Sequence, residues 1–298
     1  MRLPGLATGL LLFGTGPLGG QTAPPLDAEL LVRTGGVWES NLDHELHPRP
    51  AYGGFAALGL EVRDDAARPT VSLDYEVALH RYTVPTRWDR TSQRGGVELA
   101  LRLGGHWVWR LDGGLSLQGS SDDRDLGNEY RGATGLAAKP APGLTIELGG
   151  ALRFKRYPDD SSRNATNRYA EVELKQRVGG GVRLAMGGRL EANAARSARN
   201  SYRRATWAFG LRLRPGAADA IEAQLKLRQQ RYPARRVEVN GRQVQRRDTR
   251  LNPVLAWTHR LRENLEVSLS YEFEARRSND PDKGFEAHAL SLVLTRRW

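Results

Sequence analysis

Six histidines and no cysteine bound the chemistry open to this chain of 298 residues. Without thiols there is no disulfide, no thiolate metal site and no cysteine nucleophile. A serine nucleophile needs a histidine beside it and a third group to orient the ring. His44, His47, His80, His106, His259 and His288 stand in no such cluster with Ser and Asp or Asn. His80 has the best company, with Asp74 and Glu76 at even spacing, which puts all three on one face of an extended chain. A hydrogen-bonded structural histidine suits that pattern better than a catalytic one. His44 and His47, beside Asp43 and Glu45, have a spacing a metal can use, but a polar loop explains them more simply. Asp122, Asp123 and Asp125 form an acidic loop that lacks the EF-hand ligand pattern. No Gly-rich loop opens a helix after a strand, and no helix is predicted. The sequence is therefore read as a protein without enzymatic activity, cofactor or metal.

The elements that would carry these residues are strands. From Leu265 to Phe273 every second residue is apolar (Leu265, Val267, Leu269, Tyr271, Phe273), with Glu266, Ser268, Ser270 and Glu272 between them. A period of two becomes one apolar and one polar face only in a β-strand. After a polar turn the pattern returns with Leu290, Leu292 and Leu294, and the sequence closes on Trp298. This resembles the closing strand of a bacterial outer-membrane β-barrel, in which alternating side chains and a final aromatic form the signal read by the barrel-assembly machinery.

Composition agrees. Mean hydropathy is −0.55 and glycine numbers 33, yet the apolar residues sit in alternating stretches. A transmembrane barrel dilutes its hydropathy in this way, since half of each strand faces water. The net charge of +11 would suggest nucleic acid for a soluble domain. Here the basic residues are spread over strands and loop ends, so nucleic acid is not expected as a partner. At the N-terminus, Arg2, an apolar run from Leu6 to Phe13 and small residues up to Gly20 read as a secretory signal over residues 1–20, with cleavage before Gln21.

Fourteen strands are predicted, near 28–39, 52–63, 71–79, 95–103, 106–118, 129–139, 144–157, 167–178, 182–194, 202–214, 220–232 and 247–260, followed by the final pair. Short turns rich in Gly, Pro or Asp follow the even strands, as at Gly104–Gly105 and Gly179–Gly181. Longer polar loops, including Pro158–Thr166 and Pro233–Arg246, follow the odd ones. Such asymmetry suits an all-β, antiparallel up-and-down barrel over residues 21–298, with short turns periplasmic and long loops extracellular. The pair Arg-Tyr recurs at 81–82, 156–157 and 231–232, each at the outer end of an odd strand.

Strand parity divides the residues. Leu148, Leu152, Phe154, Val172, Leu184, Met186, Phe209, Leu225 and Leu255 are expected to face lipid, with Trp107, Trp109, Trp207, Trp257, Tyr271 and Trp298 near strand ends as interfacial girdles. The inward, pore-lining candidates are Asp74, Glu76, His80, Arg102, Arg110, Glu147, Arg153, Lys155, Glu171, Glu173, Lys175, Arg183, Arg189, Arg212, Lys226, Arg228, Glu266 and Glu272. With Arg177 and with Glu98, Asp112, Glu191, Glu222 and Glu274, which parity also turns inward, the two signs nearly balance, which favours ion pairs inside the barrel and argues against strong anion selectivity. The excess positive charge falls at the rim, with Arg87, Arg90, Arg199, Arg203, Arg204, Arg235, Arg236, Arg246 and Arg247. That rim is either solvated charge or a surface for lipopolysaccharide phosphates, which arginine suits geometrically.

Gly35-Gly36-Val37-Trp38-Glu39-Ser40-Asn41 and the hairpin from Tyr271 to Asp280 and Leu290 to Trp298 look like the Ser-Asn-bearing loops and closing strand of the barrel in surface-lipoprotein-assembly-modifier proteins. In that family the barrel is fused to tetratricopeptide repeats, which this sequence does not carry. The resemblance implies an outer-membrane barrel of about fourteen strands with possible periplasmic export partners. The leading expectation is a monomeric outer-membrane channel for small polar solutes. The alternatives are the membrane component of a polysaccharide or lipoprotein export system and a structural barrel plugged by its own ion pairs.

Overall fold

The computed structural model describes residues 27–42, 44, 48–64, 69–83, 89–118 and 127–298. Fourteen strands follow in chain order: β1 (Asp27–Glu39), β2 (Ala51–Asp64), β3 (Thr70–Tyr82), β4 (Arg90–Arg102), β5 (Trp107–Leu117), β6 (Asn128–Ala141), β7 (Leu144–Arg156), β8 (Ala165–Val178), β9 (Val182–Ala195), β10 (Tyr202–Leu213), β11 (Asp219–Val239), β12 (Arg242–Arg262), β13 (Leu265–Ser278) and β14 (Phe285–Arg297). Each pairs antiparallel with its neighbours in sequence, and β1 pairs with β14, so the sheet is a closed barrel. The helical pieces among the described residues are three single 3-10 turns in the long loops.

Alternation decides which elements form, and the turns decide where they reverse. Gly104, Gly143, Gly179 and Gly181 take positive φ at the short-turn end, a conformation open to glycine without steric cost. Closure happens at the seam between the first and last strands, where Leu31–Glu39 runs against Ala289–Arg297. Trp298 extends it: its N–H donates to the Leu30 carbonyl at 3.0 Å, and the Leu30 N–H donates back to the Trp298 carbonyl at 3.1 Å. Beside the seam, Gly35 lies in register with Val293 of β14 and Phe55 of β2. A Cβ on Gly35 would meet the Leu292 carbonyl oxygen and stand 2.7 Å from the Phe55 ring. Glycine is needed here for close approach, and the inward Phe55 ring covers it.

Two expectations are corrected. The stretch from Pro233 to Arg246 is not a loop: β11 and β12 are each 21 residues long and continue as a hairpin beyond the neighbouring strands. Its tip is Asn240-Gly241 with φ of 50° and 73°, the two positive values a type I′ turn requires. Beneath it a register shift between Tyr232 and Arg236 passes over Pro233 and sets the hairpin off from the wall. Secondly, Trp207 and Tyr271 lie mid-strand, not at strand ends. The Tyr271 hydroxyl is paired with His288 Nδ1 at 2.7 Å, which removes the cost of a polar tip on the outward face. The signal segment 1–20, Asp43, Glu45, His47, Arg87 and Asp122, Asp123 and Asp125 lie outside the described residues.

Gly35→Val is expected to destabilise the barrel by about 1–3 kcal/mol, the usual range for overpacking. A urea titration of the heat-modifiable folded band in detergent checks this, and an unchanged midpoint would refute the role given to Gly35.

Candidate functional site

The site is the barrel interior, and the strands place its residues by parity. Along β7, Leu148, Leu152 and Phe154 are exposed on the outside, while Ala151, Arg153 and Lys155 are buried on the inside. The other strands follow the same rule, so large apolar groups such as Met186, Phe209 and Leu255 cover the exterior. The first residue after β14, Trp298, and Leu290, Leu292 and Leu294 before it are exposed on this outer face.

Inside, a ladder of ion pairs climbs the wall from β4 to β10. Arg110 Nη1 lies 3.2 Å from Glu147 Oε1, reaching from β5 to β7 across β6. It can do so because the inward residues of β6 at that level are Gly135 and Ala137. Lys175 Nζ lies 3.3 Å from Glu147 and 3.1 Å from Glu173. Arg131 meets Asp112 at 2.5 Å, and Arg189 meets Glu171 at 2.7 Å. The Tyr169 ring is stacked between two guanidiniums, Arg153 at 4.5 Å and Arg189 at 4.3 Å from its centroid. Above, Glu191 accepts from Asn167 and from Tyr202 and lies 3.7 Å from Arg204. Arg33 of β1 pairs with Glu76 of β3 over Ala57 and Gly59 of β2 by the same device of small intervening residues.

The arc facing this ladder is different in kind. Leu31 and Val37 on β1, Phe55 and Ala57 on β2, and Ala287 and Val293 on β14 turn inward and are buried. The interior thus has a wall of successive ion pairs and an opposed arc in which small and apolar groups predominate around the charged Arg33 and Glu39 of β1. At the long-loop end, β1 is held to the start of β14 by Ser40 Oγ, which accepts from the His288 N–H at 2.8 Å, and by Asn41 Nδ2, which donates to the Glu286 carbonyl at 3.1 Å. The root of the long hairpin is tied by Asp248, which accepts from Arg246 Nη2 at 2.9 Å, from Ser278 Oγ at 2.7 Å and from Arg276. Asp280 adds Arg235 at 3.3 Å.

The residues expected inside are placed as follows. Arg110, Glu147, Glu173 and Lys175 come together, as do Glu171 and Arg189, and Arg212 meets Glu222 at 3.1 Å. Glu272 accepts from Asn252 at 2.8 Å, and Glu266 lies 3.5 Å from Arg297. His80 is buried beside Phe55, their rings 6.1 Å apart. Arg183 stands in register between Arg177 and Arg212 at the short-turn end, and Arg102 is exposed there on β4. Asp74 stands against Gly96, where any Cβ would collide with its carboxylate. Lys226 and Arg228 share the inner face of β11. The sequence reading missed Arg33, Glu129, Arg131 and Tyr169, although parity within β1, β6 and β8 assigns them to the same face. It also left Arg204 and Arg246 on the rim, where the structure turns both inward and buries them. For Arg246 the signal was present in Asn240-Gly241, which marks a hairpin and extends the parity of β12 to that position.

Comparison with solved structures finds barrels of this kind. The anion-selective porin from Comamonas acidovorans matches with a TM-score of 0.55 at 9% identity, over 92% of this chain and 99% of that one. The outer membrane channel DcaP of Acinetobacter baumannii matches with a TM-score of 0.57 at 10% identity, over 92% and 97%. A bacterial polysaccharide outer membrane secretin matches with a TM-score of 0.54 at 8% identity, over 90% and 98%. The fold is that of the porin-like outer-membrane barrels. No family model matches the sequence, and no curated protein does.

Asp248→Ala removes the acid that gathers Arg246, Arg276 and Ser278. Breaking a buried ion pair on one side costs about 3–5 kcal/mol. The hairpin should then be cut at Arg235, Arg236 or Arg242 by trypsin concentrations that leave the parent protein intact, and equal cleavage of the two would refute the tie.

Proposed function

We propose that the protein is an outer-membrane channel through which small polar solutes pass passively, acting without catalysis. One observation carries this reading: a closed barrel with an apolar exterior encloses a wall of charged groups at the spacing of direct ion pairs. Charged side chains facing inward in such number suit a wet lumen, since each is costly in a dry, apolar one. The likeness to an anion-selective porin and to the outer membrane channel DcaP supports a channel role, and the likeness to outer-membrane barrels as a group supports an outer-membrane location. Because acids and bases alternate along the ladder, solutes of either sign meet a partner and strong selectivity is not expected.

A second reading is the membrane component of an export system with separate periplasmic partners. The likeness to a polysaccharide secretin supports it, and the resemblance read in Gly35–Asn41 and the last hairpin suits it. The two readings differ in resting behaviour. A passive channel conducts when purified alone, whereas an export barrel that depends on partners, or a barrel closed by its own ion pairs, stays silent.

Single-channel recording in a planar bilayer is the test. Steady current with weak ion selectivity is expected, and silence from a folded, heat-modifiable protein would overturn the channel reading. Glu147→Gln removes the carboxylate between Arg110 and Lys175, so the reversal potential in a salt gradient should move toward anion preference. An unmoved potential would place Glu147 off the conducting path.

A further inference from the structure

On the outer face near the extracellular end, arginines form a row across five strands. Arg168 of β8 and Arg203 of β10 flank Ala192 of β9; Arg203 stands opposite Arg231 of β11, which stands opposite Arg247 of β12. All four are exposed, whereas the residues beside them in sequence, Tyr169, Arg204, Gln230 and Asp248, are buried inside the barrel. Parity therefore puts the four guanidiniums on the outside. Among the described residues none of the four side chains has a hydrogen-bond or ion-pair partner; at Arg247 the bond to Asn279 Oδ1 is made by the backbone N–H. The inward arginines at this level are treated differently, with Arg204 lying 3.7 Å from Glu191 and Arg246 lying 2.9 Å from Asp248.

Like charges directly opposite on adjacent strands repel, and here three stand in succession without an acid between them. Four residues toward the short-turn end, the same strands carry Val172, Trp207, Leu227 and Leu251, again in one register row. At about 3.3 Å per residue, the charged row stands about 13 Å along the strands from that apolar row. Between Arg168 and Arg203 the small residues Ala192 and Ala194 line a groove of about 360 Å³, to which Pro233 also contributes. The three features together are an unneutralised cationic row, an apolar surface beneath it and a notch between two guanidiniums.

We propose that this outer wall docks phosphorylated lipid A of the surrounding leaflet, the arginine row taking its phosphates and the apolar row its acyl chains. Guanidinium meets phosphate through paired N–H donors, and such charge-assisted bonds would offset the repulsion along the row. The inference rests on the outer-membrane location proposed above.

The test compares unfolding midpoints in phosphatidylcholine vesicles containing either bisphosphorylated lipid A or the same lipid with both phosphates removed. The parent protein should melt several degrees higher with the phosphorylated lipid. Arg203→Gln/Arg231→Gln should lose that rise and, relieved of repulsion, should melt above the parent in the phosphate-free lipid. Should that pair fail to fold, Arg168→Gln/Arg247→Gln repeats the comparison from the ends of the row. An equal rise in parent and variant, or no rise in the parent, overturns the proposal. Density-gradient fractionation of cells separates this from the premise: recovery outside the outer membrane would sink the location, while the phosphate-dependent shift in vesicles would still report on the row.

Discussion

Everything in this structure depends on the backbone pairing of β1 with β14. In a hydrocarbon surrounding no water is at hand to satisfy an edge strand, so a sheet survives only if its two edges find each other. The reciprocal bonds between Leu30 and Trp298 finish that pairing, and the glycine at 35 lets Phe55 and the Leu292 carbonyl come close on either side of it. Once the ring is closed, inside and outside exist as separate solvents, and each strand's alternation acquires two destinations.

The interior then solves a problem of excess charge with geometry. Long side chains reach across an intervening strand wherever that strand offers Gly or Ala inward, as between Arg110 and Glu147 or Arg33 and Glu76. Small residues on the inner wall thus act as bridges for ion pairs, and their absence would confine each charge to its immediate neighbour. Opposite, the apolar inward groups of β14, β1 and β2 lie nearest the seam, so closure is supported by packing where the charged ladder is not.

The exterior uses the same rule with another outcome. There Trp109 Nε1 donates to Thr134 Oγ1 at 2.9 Å and the Tyr271 hydroxyl pairs with His288 Nδ1 at 2.7 Å, whereas the arginine row at the long-loop end has no side-chain partner among the described residues. Paired arginines turned inward and unpaired arginines turned outward alternate along the same strands, a division that charge counts could not reveal.

By itself the sequence determined the strands, their number, the order of short and long connections and, through parity, the face of most residues. These are local properties: a period of two and a turn residue act within a few positions of themselves. It went wrong where a local signal was outvoted, at Pro233, read as the start of a loop although Asn240-Gly241 continued the ladder beyond it, and at Arg246, which was left on the rim in consequence. Only the tertiary structure decided which acid meets which base, that Tyr169 lies between two guanidiniums, and that Arg168, Arg203, Arg231 and Arg247 stand in one row. Those relations rest on register between strands as much as 79 residues apart in sequence, from 168 to 247, and that register is the sum of four successive hairpin pairings, each set by its own turn and pattern, which no single strand encodes.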